Sequence, residues 1–65
     1  MDAEHKVLEA LKKRELSSAE IQHHTKLWSA VLYPLLMDME EKGKVYSYWE
    51  TGEYPRRRMY GVIER

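Results

Sequence analysis

The sequence contains no cysteine, which removes disulfide frameworks, thiolate zinc sites and cysteine nucleophiles at once. Small secreted domains usually depend on disulfide staples, so the expected setting is a reducing, cytoplasmic one. Glycine and proline number only three and two, and no glycine-rich phosphate loop or flexible linker can be drawn from them. Net charge is missing as well. Eleven Lys and Arg balance eleven Asp and Glu, so the chain taken whole does not advertise affinity for nucleic acid. The longest apolar run, "AVLYPLLM" from Ala30 to Met37, is far short of the ~20 residues of a membrane-spanning helix. No charged-then-apolar leader opens the chain, and no membrane contact is expected.

Catalytic equipment is equally scarce. There is no nucleophile elbow and no isolated acid pair, and 65 residues leave little room for a pocket. Neither an enzyme nor a cofactor is expected. His5, His23 and His24 invite a metal reading, but neighbours on a helix diverge by about 100° and no ordered carboxylate spacing supports them. No metal is expected either.

What is there is an ordinary folding composition, 43% hydrophobic, sufficient for one domain over residues 1–65. From Ala3 to Arg14 the apolar positions Ala3, Val7, Leu8, Ala10 and Leu11 follow helical spacing and predict a first helix over 3–14. Ser17 and Glu20 have the S-x-x-E spacing of a capping box. They predict a second helix over about 18–24, with Ala19 and Ile21 on its buried face. After a turn at 25–29, Ser29 is placed to cap a third helix over 29–42, whose Leu32, Leu35, Leu36 and Met39 form a core stripe ending before Gly43. Pro34 lies about one turn inside it and removes one backbone donor.

Beyond Gly43 the period changes. "KVYSYWET" and "RRRMYGVI" are rich in aromatic and β-branched residues and flank "GEYP", predicting a β-hairpin over 44–63. Alternation puts Val45 and Trp49 toward the core and Lys44, Tyr46 and Tyr48 outward, with Tyr60 and Val62 inward on the return strand. An α+β winged helix-turn-helix follows: three helices, then a two-stranded antiparallel wing.

At this point the sequence resembles the PadR family of bacterial and archaeal transcriptional regulators. The likeness runs through "LYPLLMDMEEKGKVYSYWETGEYPRRRMYGV", in which Leu32, Tyr33, Pro34, Leu36, Met39, Glu40, Glu41, Gly43, Val45, Trp49, Pro55, Arg57 and Tyr60 occupy the family's positions. Two departures stand out. Ser18 and Ala19 replace the family's usual glycine-tyrosine pair, and Met37 and Asp38 replace an often basic pair. The family's C-terminal dimerisation helices have no counterpart before Arg65, so a minimal form is expected. The resemblance implies a double-stranded DNA-binding regulator, expected to repress, of prokaryotic, phage or plasmid origin and nucleoid-associated.

The candidate interface has two parts. Residues 44–65 hold Lys44, Arg56, Arg57, Arg58 and Arg65 against Glu50, Glu53 and Glu64, a surplus of two (five against three), so overall neutrality hides a locally positive wing. Arginine suits phosphates because its planar fork makes two bonds at once. The bland alternative is that these arginines pair with Glu50 and Glu53 and keep an edge strand soluble. The exposed half of the third helix offers Lys26, Ser29, Ala30, Tyr33 and Met37 to a major groove. Tyr33 and Ser29 can bond phosphate or base edges, and Ala30 and Met37 can touch thymine methyls. Tyr54, at the wing tip, completes the DNA-binding set. Asp38, Glu40 and Glu41 must point away from any DNA backbone.

Because one such module covers only ~600–1,000 Å² of protein surface, two copies are expected, as a homodimer. Val7 on the first helix, Trp28, Tyr46 and Tyr48 are the candidate dimer or partner surface. Two alternatives remain. One is a winged-helix adaptor that binds protein through Trp28, Met37 and the tyrosines. The other is an architectural DNA-binding protein of phage or plasmid type.

Overall fold

The computed structural model describes residues 2–52 and 54–64. Glu53 and Arg65, counted above in the wing's charge balance, and any pairing of the arginines with Glu53, lie outside the described residues. Helix α1 spans Ala3–Leu11, with the Asp2 side chain accepting from the Glu4 amide at 3.2 Å. It stops three residues earlier than its sequence periodicity suggests. Lys12, Lys13 and Arg14 offer no apolar face to bury, and the chain must turn there so that Leu16 can enter the core beside Leu11.

Leu16–Ser17 then form a strand, β1, that the sequence reading did not contain. It pairs antiparallel with β3 (Arg58–Val62), which in turn pairs with β2 (Val45–Trp49), so the wing is part of a three-stranded sheet in the order β1-β3-β2. Two residues are too few to show a period, yet they cover the edge of β3 that a lone hairpin would leave open.

Ser17 ends β1 and also caps helix α2 (Ser18–Thr25). Its hydroxyl accepts from the Glu20 amide at 3.2 Å while its own amide donates to the Glu20 carboxylate at 2.9 Å. The expected capping box is therefore present. Ile21 and Thr25, four residues apart, make the buried face. Ala19 is exposed rather than buried, because it sits about 200° from Ile21 around the helix. The Thr25 hydroxyl donates to the Ile21 carbonyl at 2.8 Å and accepts from the Leu27 amide, and Lys26 turns the chain with a left-handed φ of 60°.

Helix α3 covers Ser29–Glu41. Trp28, not Ser29, occupies the N-cap, without a side-chain hydrogen bond, and Ser29 is the first helical residue. Leu32, Leu36 and Met39 are fully buried and Leu35 partly so, as the stripe predicted. Gly43, at φ 74°, closes the helix. Its amide donates to Glu40 at 3.1 Å and that of Lys44 to Met39 at 2.9 Å, the two bonds of a Schellman stop.

The core comprises Val7, Leu11, Leu16, Ile21, Leu32, Leu36, Met39, Val45 and Tyr60. Trp49 shares a sheet face with Val45 but is 59% exposed, because β2 has by then run past the helices that would cover it. Among the described residues no helix is long and apolar enough to cross a membrane.

On the opposite sheet face, Tyr46 and Tyr48 stack with their rings 6.4 Å apart and both hydroxyls donate to the Glu15 carboxylate. Glu15 precedes β1 and reaches β2 across β3, where Tyr46 faces Gly61. A Cβ on Gly61 would collide with the far end of the Tyr46 ring. Gly61→Ala should therefore displace Tyr46 from Glu15 and cost about 1 kcal/mol. In a Tyr46→Ala background the same change should cost nothing measurable, a double-mutant cycle read by urea unfolding.

The tyrosine hydroxyls, Tyr46 first, hold the Glu15 carboxyl below its ordinary range, and the Ser17 amide does the same for Glu20. Because these folded-state pKa values are depressed, the stabilisation is fully present above about pH 4.3, the ordinary glutamate value, and is lost as pH falls through the folded values. The thermal midpoint should fall on acidification below that point, and Glu15→Gln should flatten the fall.

Candidate nucleic-acid interface

Three elements meet at one groove of about 510 Å³. The start of α2 supplies Ser17, Ser18 and Ala19, α3 supplies Tyr33 and Met37, and the wing supplies Trp49, Arg58 and Tyr60 from its strands and Arg56 and Arg57 from the loop before β3. The helix start contributes the positive end of its dipole. On α3, Ala30, Tyr33 and Met37 lie on one line opposite the core stripe, spaced by three and four residues. All three are exposed, Met37 to 66%. One turn further along the same line stands Glu41, and Asp38 is held by Lys42 at 3.0 Å. The acidic end of α3 thus bounds the usable surface to the stretch from Ser29 to Met37.

The three arginines do different things. Arg57 grips Glu50 with two nitrogens, at 3.1 and 2.8 Å, and lies 3.8 Å from Glu20. That pairing lowers the Glu50 pKa and raises that of Arg57, the shared hydrogen bond being the main cause for both. Arg58 donates to the Ser47 hydroxyl at 2.8 Å and lies over the Trp49 ring, 5.3 Å from its centroid. Arg56 lies over Tyr54, 5.0 Å from the ring centroid. The charge-pairing alternative therefore describes Arg57, whereas the other two rest on aromatic rings.

Of the residues singled out in the sequence, Tyr33, Met37, Arg56, Arg57 and Arg58 line this one groove, and Tyr54 is exposed beside it. Lys26 and Ser29 lie with Trp28 at a separate depression on the α2–α3 turn. Trp28 is 80% exposed and packs into no core. Val7 is fully buried and cannot contribute to a dimer surface. Its position on α1 is on the stripe that faces α2 and β3, a stripe that amphipathicity had already marked as core. Tyr46 and Tyr48 are turned to the far side of the sheet and engaged by Glu15. His5 lies 3.6 Å from Glu9, and the His23 and His24 rings meet edge to face.

Sequence reasoning missed Ser18, Ala19 and Trp49 as groove residues. The capping box was the available signal for the first two, since it fixes where α2 begins and hence what its first turn faces.

No protein-family model and no curated protein matches the chain. Solved structures do. A PadR family transcription regulator from hypervirulent Clostridium difficile R20291 superposes with a TM-score of 0.86 at 22% identity, over 94% of this chain and 71% of that one. Stf76 from the Sulfolobus islandicus plasmid-virus pSSVx gives 0.87 at 21% identity, over 100% and 86% of the two chains. Bacillus subtilis PadR, solved in complex with operator DNA, gives 0.78 at 23% identity, over 94% of this chain and 40% of that one. The chain has the winged-helix fold of the two PadR structures.

Proposed function

We propose that this protein binds double-stranded DNA and regulates transcription, with the N-terminal half of α3 in a major groove and the wing arginines on adjacent phosphates. The observation that carries the reading is the groove in which Tyr33 and Met37 of α3 face the three arginines of the wing. Support comes from the fold, which B. subtilis PadR uses in a complex with operator DNA. Repression by occupying a promoter requires nothing further than binding. One module buries too little surface for useful affinity, so two copies act together. With Val7 buried, exposed Trp28 is the remaining candidate for contact between copies that is not engaged by another side chain.

Since α3 presents apolar atoms rather than cations, affinity comes from the wing and sequence preference from α3. Binding to a mixed-sequence duplex, followed by fluorescence anisotropy across a salt series, should weaken with a log–log slope of roughly −0.9 per phosphate contacted. Tyr33→Ala should reduce discrimination between sequences and leave that slope unchanged. A folded chain that binds no duplex at low salt overturns the proposal. It would favour the protein-adaptor reading, whose supporting observation is the exposure of Trp28, Met37 and Trp49 at 80%, 66% and 59%.

The apolar line on α3 also bears on which bases are read. Within a selected site, replacing thymine by uracil at a position under Met37 or Ala30 should weaken binding about fourfold per contacted methyl. Met37→Gln should remove that difference at its own position.

A further inference from the structure

Consecutive arginines read as one basic patch, yet the side chains at positions 56, 57 and 58 are not held alike: one meets a carboxylate and two meet aromatic rings. Arg57 is the one whose charge is answered. Its fork meets both oxygens of Glu50, the geometry in which an exposed ion pair is most effective. Its remaining terminal nitrogen is 3.8 Å from Glu20, which also binds the Ser17 amide and lies 3.3 Å from Arg14. Arg14, Glu20, Arg57 and Glu50 therefore form a chain of charges that runs from the α1–β1 connection, through the first turn of α2, to the loop-side ends of both long strands.

Arg56 and Arg58 are held by rings instead. Tyr54 supports Arg56, and Trp49 with the Ser47 hydroxyl supports Arg58. An aromatic face orients a guanidinium while leaving its positive charge uncancelled. Among the described residues neither has a carboxylate within ion-pairing distance.

Resting on the DNA-binding function proposed above, we infer that the arginines divide the work. Arg56 and Arg58 are the wing's phosphate-binding pair, and Arg57 is a positioning residue that fixes the wing against the start of α2 through Glu50 and Glu20. The spacing fits this, since residues two apart on an extended chain point to one side and the residue between them to the other. Arg58 lies on the sheet face of Trp49 and Tyr60, and Arg57 turns the other way to Glu50, although all three line the groove.

The test is a salt series of duplex binding on variants shown by circular dichroism to be folded. Arg56→Ala and Arg58→Ala should each make the slope shallower by about 0.9. The paired variant Arg57→Ala with Glu50→Gln has the net charge of the original chain. It should bind roughly three- to tenfold more weakly at every salt concentration, from lost preorganisation, with the slope unchanged. A slope shallower by about 0.9 in that variant would make Arg57 a phosphate ligand and overturn the inference. Arg57→Lys separates the roles again, because lysine serves a phosphate but cannot reproduce the fork on Glu50. It should weaken binding without changing the slope, and affinity equal to the original would also count against the positioning role.

A readout without DNA distinguishes this inference from the function beneath it. In the free protein, Glu50→Gln should shift the Arg57 Nε–H resonance and speed its hydrogen exchange while those of Arg56 and Arg58 stay in place. An unmoved Arg57 resonance overturns the positioning role. Failure of the original chain to bind any duplex overturns the proposed function and the phosphate pair together, whatever the resonances show.

Discussion

The Glu20 carboxylate is the point on which the arrangement of this small protein turns. One of its oxygens receives the Ser17 amide, closing the capping box that starts α2, and the same side chain faces Arg14 and Arg57. Ser17 in turn is the residue where β1 ends. A single S-x-x-E spacing therefore sets where the strand stops, where the helix begins and what Arg57 of the wing rests against. The energetic weight of each contact is modest, since capping is worth about 1 kcal/mol and exposed ion pairs less. Their effect is directional: they determine how α2, β3 and the wing are presented together to the groove.

The core explains why so little is needed beyond this. Leu32, Leu36 and Met39 fasten α3 by one face, and Val7, Leu11, Leu16 and Ile21 close over it from α1, β1 and α2. These seven buried side chains bind the helices before the hairpin is reached. The hairpin joins through Val45 and Tyr60, at the end nearest the helices, and leaves its far end unpacked. Trp49 is the consequence, an apolar side chain whose parity says core and whose position along the strand says solvent. Left largely exposed, it becomes a platform for Arg58.

The fold was largely legible in the sequence because its signals are periodic or stereochemical. The α3 stripe spans three turns, the Gly43 stop uses a backbone conformation that glycine favours, and the capping box is a fixed spacing. What escaped was short or depended on tertiary reach. β1 is two residues long and has no pattern of its own. Helix α1 ends at Leu11 rather than Arg14 because Leu16 must come back to the core, a demand no local window contains. Ala19 was assigned inward on hydrophobicity alone, although its angle from Ile21 already excluded it. Val7 went to a dimer surface although its place in the stripe made it core. In the candidate site, the residue types were readable, but the partners were not: nothing in "RRR" distinguishes the arginine that meets Glu50 from the two that meet rings.

That distinction also resolves the contradiction between zero net charge and a basic wing. A carboxylate partner orients an arginine and cancels it, whereas a ring orients it and leaves its field intact. Acids in this chain are spent where geometry must be held: Glu4 on Lys44, Glu20 on Arg14, Asp38 on Lys42 and Glu50 on Arg57. Aromatics stand where charge must remain available, at Tyr54 and Trp49. Counting charges over the whole sequence therefore measures how many cations are anchored by acids as much as how many are presented. At the wing, the choice between Glu and an aromatic neighbour decides which of three identical side chains keeps its charge uncancelled.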